Sequence, residues 1–402
     1  MPIHSHALEI VHTLNRAGHI AYFAGGWVRD YLMGHPSDDI DIATSASPQQ
    51  VLDLFPRTIL VGLQFGVVIV PIDGHQYEVS SFRKDFDYVD GRKPGRIELT
   101  SPEEDAKRRD FTINGMFYDP IEEKVMDYVG GVEDIKKGVV RAIGNPDERF
   151  YEDRLRMIRA CRFAARFDFH IDLETQEAIK NNALGLFPSV AMERVWQEFC
   201  KMSAYPRFER ALVELHRFGL LQILFPQLHV KKLKEFEELV KPIANYPKGT
   251  PTLFFLSELF QDLSTEEIVD LSKFLKAPNR EIELLTLYLE TSPFSLDKSA
   301  SALSRFYVHP HSTLCLEVYA ARLEPKVKEA FLSAHAKRRN ELSRHIQRLQ
   351  NKTPVLTSQF LKDKGIPPGI HMGNMLKRAE ELSINENIED PEQLFKRVQE
   401  VV

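Results

Sequence analysis

Three groups of residues in this chain have types and spacings suited to chemistry on phosphates. The first is Ala24-Gly25-Gly26-Trp27-Val28-Arg29-Asp30, followed by Asp38-Asp39-Ile40-Asp41. A strand that runs into Gly-Gly and then a helix leaves backbone N–H groups at the helix start that suit phosphate oxygens. Asp39 and Asp41 are two apart in a strand-like run, so their side chains leave the same face. Two carboxylates about 4 Å apart repel by roughly 4 kcal/mol at an effective dielectric near 20. A divalent cation between them removes that repulsion, and a carboxylate pair completed by substrate phosphates is a donor set that Mg²⁺ prefers. Glu78, in the strand-like run Tyr77–Phe82, is a candidate third carboxylate, with a solvent-facing strand position as the equal alternative. Gly-Gly alone is not G-x-G-x-x-G and reads more readily as a plain turn. Gly-Gly, a helix and then Asp-x-Asp in sequence favour the metal-assisted reading over a solvated acidic loop.

The second group is Lys107-Arg108-Arg109-Asp110-Phe111-Thr112-Ile113-Asn114. Adjacent arginines can neutralise phosphate, while Asp110 and Asn114 can grip a sugar hydroxyl; a basic turn is the alternative for this block in isolation. The third runs from Glu152-Asp153-Arg154-Leu155-Arg156 through Arg159 and Arg162 to Arg166. At 100° per residue, Arg156, Arg159, Arg162 and Arg166 fall within an arc of roughly 120°. Met157, Ile158, Cys161, Ala164 and Ala165 take the opposite side. A solvated face would normally interleave acids at i,i+4, and this one does not. Asp153 offers only acceptors and Arg156 only donors, a pair able to meet the Watson–Crick edge of a base. Taken alone, a solvated helix explains the block equally well.

The elements that must position these residues differ along the chain. From His19 to Ile143, the strand-like runs IAYFAGG, DDIDIAT, VVIVPIDG and QYEVSSF alternate with helical spacing at Leu8–Asn15 and Val28–Met33 and a helix from Ser47-Pro48 through Phe55. That alternation predicts a small α/β domain with helices packed on one sheet. After Ile143 strand signals nearly vanish. Amphipathic helices are expected at Glu152–Arg166, Leu173–Asn181, Ala191–Met202, Phe208–Phe218 and Lys231–Val240. Others are expected at Thr265–Leu275, Arg280–Leu289 and along Glu324–Asn351. The fold class is therefore α+β: an α/β head with one mixed sheet, then an all-α remainder.

Composition bounds the rest. A chain of 402 residues, 43% hydrophobic and 27% charged, exceeds what one core usually serves and excludes fibres, mini-proteins and disordered tails. Fifty-two Lys+Arg against 58 Asp+Glu give a net charge of −6, which by itself announces no polyanionic partner. No apolar run approaches a membrane span, and the N-terminal stretch lacks the apolar core of a signal peptide. Three scattered cysteines argue against a disulfide framework or zinc ribbon, so a cytoplasmic enzyme with reduced thiols is expected.

Taken together, the motifs resemble those of the class II nucleotidyltransferases, which comprise tRNA CCA-adding enzymes and bacterial poly(A) polymerases. The matching blocks stand in order as Gly25–Asp30 with Asp39 and Asp41, Arg108–Asn114, Asp127-Tyr128-Val129-Gly130-Gly131, and Glu152–Ala164. The resemblance is dense over residues 20–170 and continuous but diffuse beyond. It implies a nucleotidyltransferase head (1–140), a nucleotide-selecting neck (141–205), an RNA-binding body (206–290) and a tRNA-binding tail (291–402). It also implies that Asp39 and Asp41 bind two Mg²⁺ ions that activate the RNA 3′-hydroxyl and steady the triphosphate. Gly25, Gly26 and Arg29 would hold the triphosphate, and Arg109, Asp110 and Asn114 would contact phosphate and ribose. Asp153 and Arg156 would pair with C or A, with Arg159 and Arg162 supporting them or touching phosphate.

The resemblance makes CCA addition to the tRNA 3′ end, from CTP and ATP, the leading activity, with no membrane and no obligate protein partner. An A-only enzyme, a poly(A) polymerase and, from another class, a catalytically silent RNA-binding module are the alternatives. Val61-Gly62-Leu63-Gln64-Phe65-Gly66-Val67 is closer to the CCA-adding pattern than to the basic motif of poly(A) polymerases, and the C-terminus is mixed in charge. Residues 83–100 resemble the mobile loop associated with the final A, with Asp90, Arg92 and Arg96 as its active charges. The segment from Pro354 to Leu376 resembles the CCA-adding tail but departs from it at Ile370 and His371. A nucleotide-binding oxidoreductase fails on the missing G-x-G-x-x-G and on the carboxylate pair.

Overall fold

Short β-branched and aromatic runs build the N-terminal sheet. The computed structural model describes every residue except Met1, Pro36, Leu63–Phe65, Asp90–Arg92, Ser292–Phe294 and Val402. The N-terminal elements are α1 (Pro2–Arg16), β1 (Ala21–Ala24), α2 (Gly26–Leu32), β2 (Asp41–Thr44), α3 (Pro48–Leu54), β3 (Ile59–Gly62), β4 (Val67–Ile72) and β5 (His75–Ser81). They continue with β6 (Arg83–Val89), β7 (Lys93–Leu99), α4 (Pro102–Lys107), β8 (Phe117–Asp119), β9 (Lys124–Met126), α5 (Gly131–Lys137) and β10 (Val139–Val140). Seven strands form one sheet in the order β3-β4-β5-β2-β1-β8-β9, in which β2 and β5 run parallel and their other neighbours antiparallel. The expected mixed sheet is present, with β3, β8 and β9 added to the strands legible in the sequence.

Period-two alternation gives the sheet two different faces. On one, Phe23, Ile42, Val68, Val70, Tyr77 and Val79 pack against Ala7, Ile10, Val11 and Leu14 of α1 and against Trp27, Val28 and Val51. At about 1.5–3 kcal/mol for each fully buried large apolar side chain, this cluster holds the register. On the other face Ala24, Ala43, Phe82, Ala106 and Phe117 form a smaller cluster. Ser47 caps α3 as a capping box with Gln50, and Pro48 stands in its first turn, as the Ser-Pro start predicts. The register pairs Ala24 with Asp41 and Ile42 with Val79, which brings the Gly25 turn, Asp41 and Glu78 to one end of the sheet.

The remaining helices of the first compact unit (Met1–Lys241) are α6 (Pro146–Glu152), α7 (Leu155–Phe167), α8 (Leu173–Asn182), α9 (Met192–Ser203), α10 (Phe208–Arg217), α11 (Leu220–Leu224) and α12 (Leu233–Val240). A short strand β11 (His170–Ile171) pairs with β10. The predicted helix Glu152–Arg166 is interrupted: Asp153 adopts extended φ −149°, ψ 102° and separates α6 from α7. Its carboxylate accepts from the Leu155 N–H, starting the next helix instead of continuing the last. Within the segment compared with a mobile loop, β6 and β7 pair antiparallel, with Arg83–Asp85 opposite Ile97–Leu99.

The second unit (Pro242–Val402) is helical: α13 (Thr252–Ser257), α14 (Thr265–Phe274), α15 (Asn279–Thr291), α16 (Ala300–Val308), α17 (Ser312–Ala320), α18 (Pro325–Glu341), α19 (Ser343–Gln350), α20 (Ser358–Asp363), α21 (Ile370–Asn385) and α22 (Pro391–Gln399). The predicted stretch Glu324–Asn351 divides at Leu342 into α18 and α19. Leu356, Leu361, Met375, Leu382, Leu394 and Val398 form part of a separate terminal core around α20–α22.

Candidate active site

The Gly-Gly turn, the aspartate pair and the arginine helix meet in one cleft of about 780 Å³ in the first unit, within the size range of small-ligand sites. Nine cationic side chains and five carboxylates line it, so a chain of net charge −6 concentrates positive charge where a polyphosphate would lie. Gly25 enters α2 at φ +67°, a left-handed conformation in which a side chain is strained. A Cβ at Gly25 would also stand 3.2 Å from Arg109 Nη1 and 4.0 Å from Asp41 Oδ2. The Gly25 N–H donates to Met116 O, so the donors open to a phosphate begin with Gly26 in the first turn of α2.

Asp41 begins β2, and Asp39 lies exposed just before it. Burial, with the Glu78 and Asp39 charges nearby, pushes the Asp41 carboxyl up to about 7 against the pull of Arg109. Glu78 is exposed on β5; partial desolvation of its carboxyl raises its pKa, opposed by Arg83 and reinforced by Asp39. Mutually repelling carboxylates in a partly desolvated corner are the setting that a divalent cation relieves, so the donor chemistry fits one. Among the described residues no three acidic, His or Cys side chains converge closely enough to hold an ion by themselves. The fit is therefore to the Asp39–Asp41 pair with oxygens from a substrate, and Glu78 acts on it through its charge.

The other expected residues are already tied into the protein. Arg29, 4% exposed, donates to Asp30 (2.8 Å) and to Asn114 (2.6 Å), with its guanidinium 4.5 Å from the Phe167 ring centre. Asp110 accepts from Arg159 Nε at 2.8 Å and Nη2 at 2.5 Å, and from Asn114 at 3.1 Å. Arg162 donates to Glu198 at 2.6 Å, and Arg166 lies 3.6 Å from Asp30. Arg156 donates to Glu152 and to the carbonyls of Arg149 and Arg108. The arginine face of α7 does exist, but acids from other elements answer it. Arg108 and Arg109 share Asp105, buried in α4, and the N–H of Arg83 donates to the same carboxylate.

Gly131 explains the Asp127–Gly131 block. Asp127 accepts N–H bonds from Val129, Gly130, Gly131 and Val132 and so starts α5. A Cβ on Gly131 would stand 2.3 Å from Thr112 O, so this glycine lets α5 press against the turn that carries Asp110 and Asn114.

Asp90 and Arg92 lie outside the described residues, as do Leu63–Phe65 of the segment compared with poly(A) polymerases. Arg96 is exposed on β7, paired with Glu98 at 3.1 Å, and does not line the cleft. Sequence reasoning missed Arg194, Gln197, Glu198, Lys201 and Tyr205, which line the cleft from α9 and the turn after it. Their three- and four-residue spacing was a legible stripe, but nothing local marked it as facing α7.

Asp110 yields a pH prediction. Burial alone would raise its pKa, yet Arg159 outweighs that and, with the Asn114 hydrogen bond, holds the carboxyl at about 2. The folded value lies below the ordinary one near 3.9, so the ionised group stabilises the fold above about pH 4. That contribution fades as pH falls towards 2. Urea midpoints of the parent and Asp110→Asn should differ at pH 7 and converge between about pH 4 and pH 2. A gap constant with pH would refute the linkage.

A mixed sheet presenting Gly-Gly and an Asp pair, faced by an arginine-lined helix across a cationic cleft, defines a nucleotidyltransferase. The sequence profile "Poly A polymerase head domain" matches residues 21–141, and "Probable RNA and SrmB- binding site of polymerase A" matches residues 168–232. The CCA-adding enzyme of Geobacillus sp. (strain WCH70) is 34% identical over 395 residues, covering 96% of this chain and 93% of that one. That of Ligilactobacillus salivarius (strain UCC118) is 32% identical over 406 residues, covering 98% and 96%. The crystal structure of the Bacillus stearothermophilus CCA-adding enzyme in complex with CTP superposes with a TM-score of 0.78 at 27% identity, covering 100% of this chain and 98% of that chain. The chain belongs to the CCA-adding enzyme family.

Proposed function

We infer that this protein is a template-independent RNA nucleotidyltransferase that adds CMP, CMP and AMP, from CTP and ATP, to the 3′ end of tRNA. The observation that carries the reading is the single cleft that holds the Gly25–Gly26 turn and Asp39–Asp41 together with Asp153 and Arg156. One part suits phosphates and a divalent cation; the other suits a base edge. The similarity over nearly the whole chain to CCA-adding enzymes, one of them solved with CTP, supports it.

In this reading Asp39 and Asp41 hold divalent cations, with Mg²⁺ the proposed ion given its preference for carboxylate and phosphate oxygens. Bound there, such ions would supply Lewis-acid chemistry at the 3′-hydroxyl and at the pyrophosphate oxygens. The first turn of α2 from Gly26 and the Arg109 guanidinium bind the triphosphate. Arg29 and Asn114 hold that turn to the Asp110 block, and Asp110 with Arg159 fixes α7 beside it. Asp153 accepts from, and Arg156 donates to, the incoming base. The division into head (1–140), neck (141–205), body (206–290) and tail (291–402) is proposed with this function. So is a cytoplasmic location, supported by three free cysteines, two of them buried. No helix among the described residues is long and apolar enough to cross a membrane.

The test is incorporation. Purified protein given tRNA lacking CCA, Mg²⁺, CTP and ATP should extend it by three nucleotides. Addition of one A only to tRNA ending in CC would replace this reading with the A-only one. Long A tracts on arbitrary RNA would replace it with poly(A) synthesis.

A further inference from the structure

We propose that Arg194 is a positioning residue that sets base selection by fixing the plane of the Asp153 carboxylate; this rests on the base-reading role proposed for Asp153. Asp153 occupies the break between α6 and α7, where its backbone is extended and its side chain points into the cleft. Arg194, on α9, grips it from across the cleft: Nη1 donates to Oδ1 at 3.1 Å and Nη2 to Oδ2 at 2.7 Å. The two side chains are equally enclosed, each 17% exposed. This is a fork-to-fork contact, which fixes orientation as well as distance.

Counting acceptor sites shows what the contact does. A carboxylate has about four lone-pair directions. Oδ1 accepts from the Leu155 N–H at 3.1 Å and from Arg194, while Oδ2 accepts from Arg194. The direction left over is on Oδ2, and an ionised carboxylate can only accept there. Cytosine N4 and adenine N6 present N–H donors, whereas guanine O6 and the O4 of a uracil-type ring present acceptors. A fixed acceptor is met by C and A and repels U and G. A carboxylate free to rotate could turn aside and lose that repulsion. Arg194 thus converts Asp153 from a charge near the base into a directed acceptor. Glu198, one turn further along α9, accepts from Arg162 and fixes the same helix face against α7.

Single-nucleotide addition to tRNA lacking CCA tests this, with kcat and KM measured separately for CTP and UTP. Arg194→Ala should lower the CTP-to-UTP ratio of kcat/KM about tenfold, matching Asp153→Ala. The double variant should be no less selective than Asp153→Ala alone, because both substitutions remove one device. Arg194→Lys, which keeps the charge but loses the fork, should fall between Arg194→Ala and the parent, and it serves if the alanine variant does not fold. A merely structural role would slow both nucleotides alike and leave the ratio at the parent value, which overturns the proposal. If Asp153→Ala also keeps the parent ratio, the base-reading role of Asp153 itself is wrong.

Discussion

Replacing Asp41 by Ala is expected to lower nucleotide incorporation by at least about 10³-fold while tRNA binding stays near the parent value. A carboxylate that holds a catalytic cation contributes several kcal/mol of transition-state stabilisation, and each 1.36 kcal/mol is a factor of ten in rate. The surroundings of Asp41 make the two readouts separable. Burial and the Glu78 and Asp39 charges all disfavour its ionised form, so the metal-free fold gains nothing from it. Removing one of three mutually repelling carboxylates should leave thermal stability in metal-free buffer unchanged or higher. Single-turnover incorporation, a filter-binding isotherm and a melting curve read the three quantities. Turnover within about tenfold of the parent would remove Asp41 from the catalytic centre.

Glu198 should behave in the opposite way, with its largest effect on folding. It is 2% exposed, accepts from Arg162 at 2.6 Å and lies 3.8 Å from Arg159 and 3.3 Å from Lys201. Burial would raise its pKa, but Arg162, Arg159 and Lys201 together hold it below the usual carboxylate range. Glu198→Ala strands Arg162, itself 6% exposed, without its carboxylate. Breaking one side of a buried pair costs about 3–5 kcal/mol, a large part of the stability of an ordinary domain. Glu198→Gln keeps the shape and an acceptor oxygen and should cost less. Urea unfolding of both variants gives the comparison, and a loss below about 1 kcal/mol for the alanine variant would mean that water or another acid replaces Glu198.

The two cases show where sequence reasoning ran out. The Gly-Gly turn, Asp39–Asp41 and the arginines of α7 were visible because each depends on near neighbours in the chain. Glu198 was not, since nothing within its own helix distinguishes an acid facing Arg162 from one facing water. The strand pair Arg83–Val89 and Lys93–Leu99 was hidden for a similar reason: the two strands are stabilised by each other, and each alone offers little strand signature. The interruption at Asp153 was also hidden. Local helical periodicity continues through it, and the break is held by the Asp153 carboxylate, which accepts from Leu155 N–H at the start of α7 and from Arg194, 41 residues away.

The division is physical. Strand and helix periodicity, the glycine at a left-handed turn, the Ser-Pro helix start and the clustering of arginines on one face of α7 are properties of chain segments a few residues long. The sequence by itself determined these, and with them the α+β class and the phosphate-directed chemistry. Charge compensation is a property of space. An arginine ladder reads as a free cationic face until Asp30, Asp110 and Glu198 arrive from three other elements to neutralise most of it. Only the tertiary structure decided which of those charges became scaffold, and it did so because a buried guanidinium must find a carboxylate wherever the fold brings one within about 4 Å.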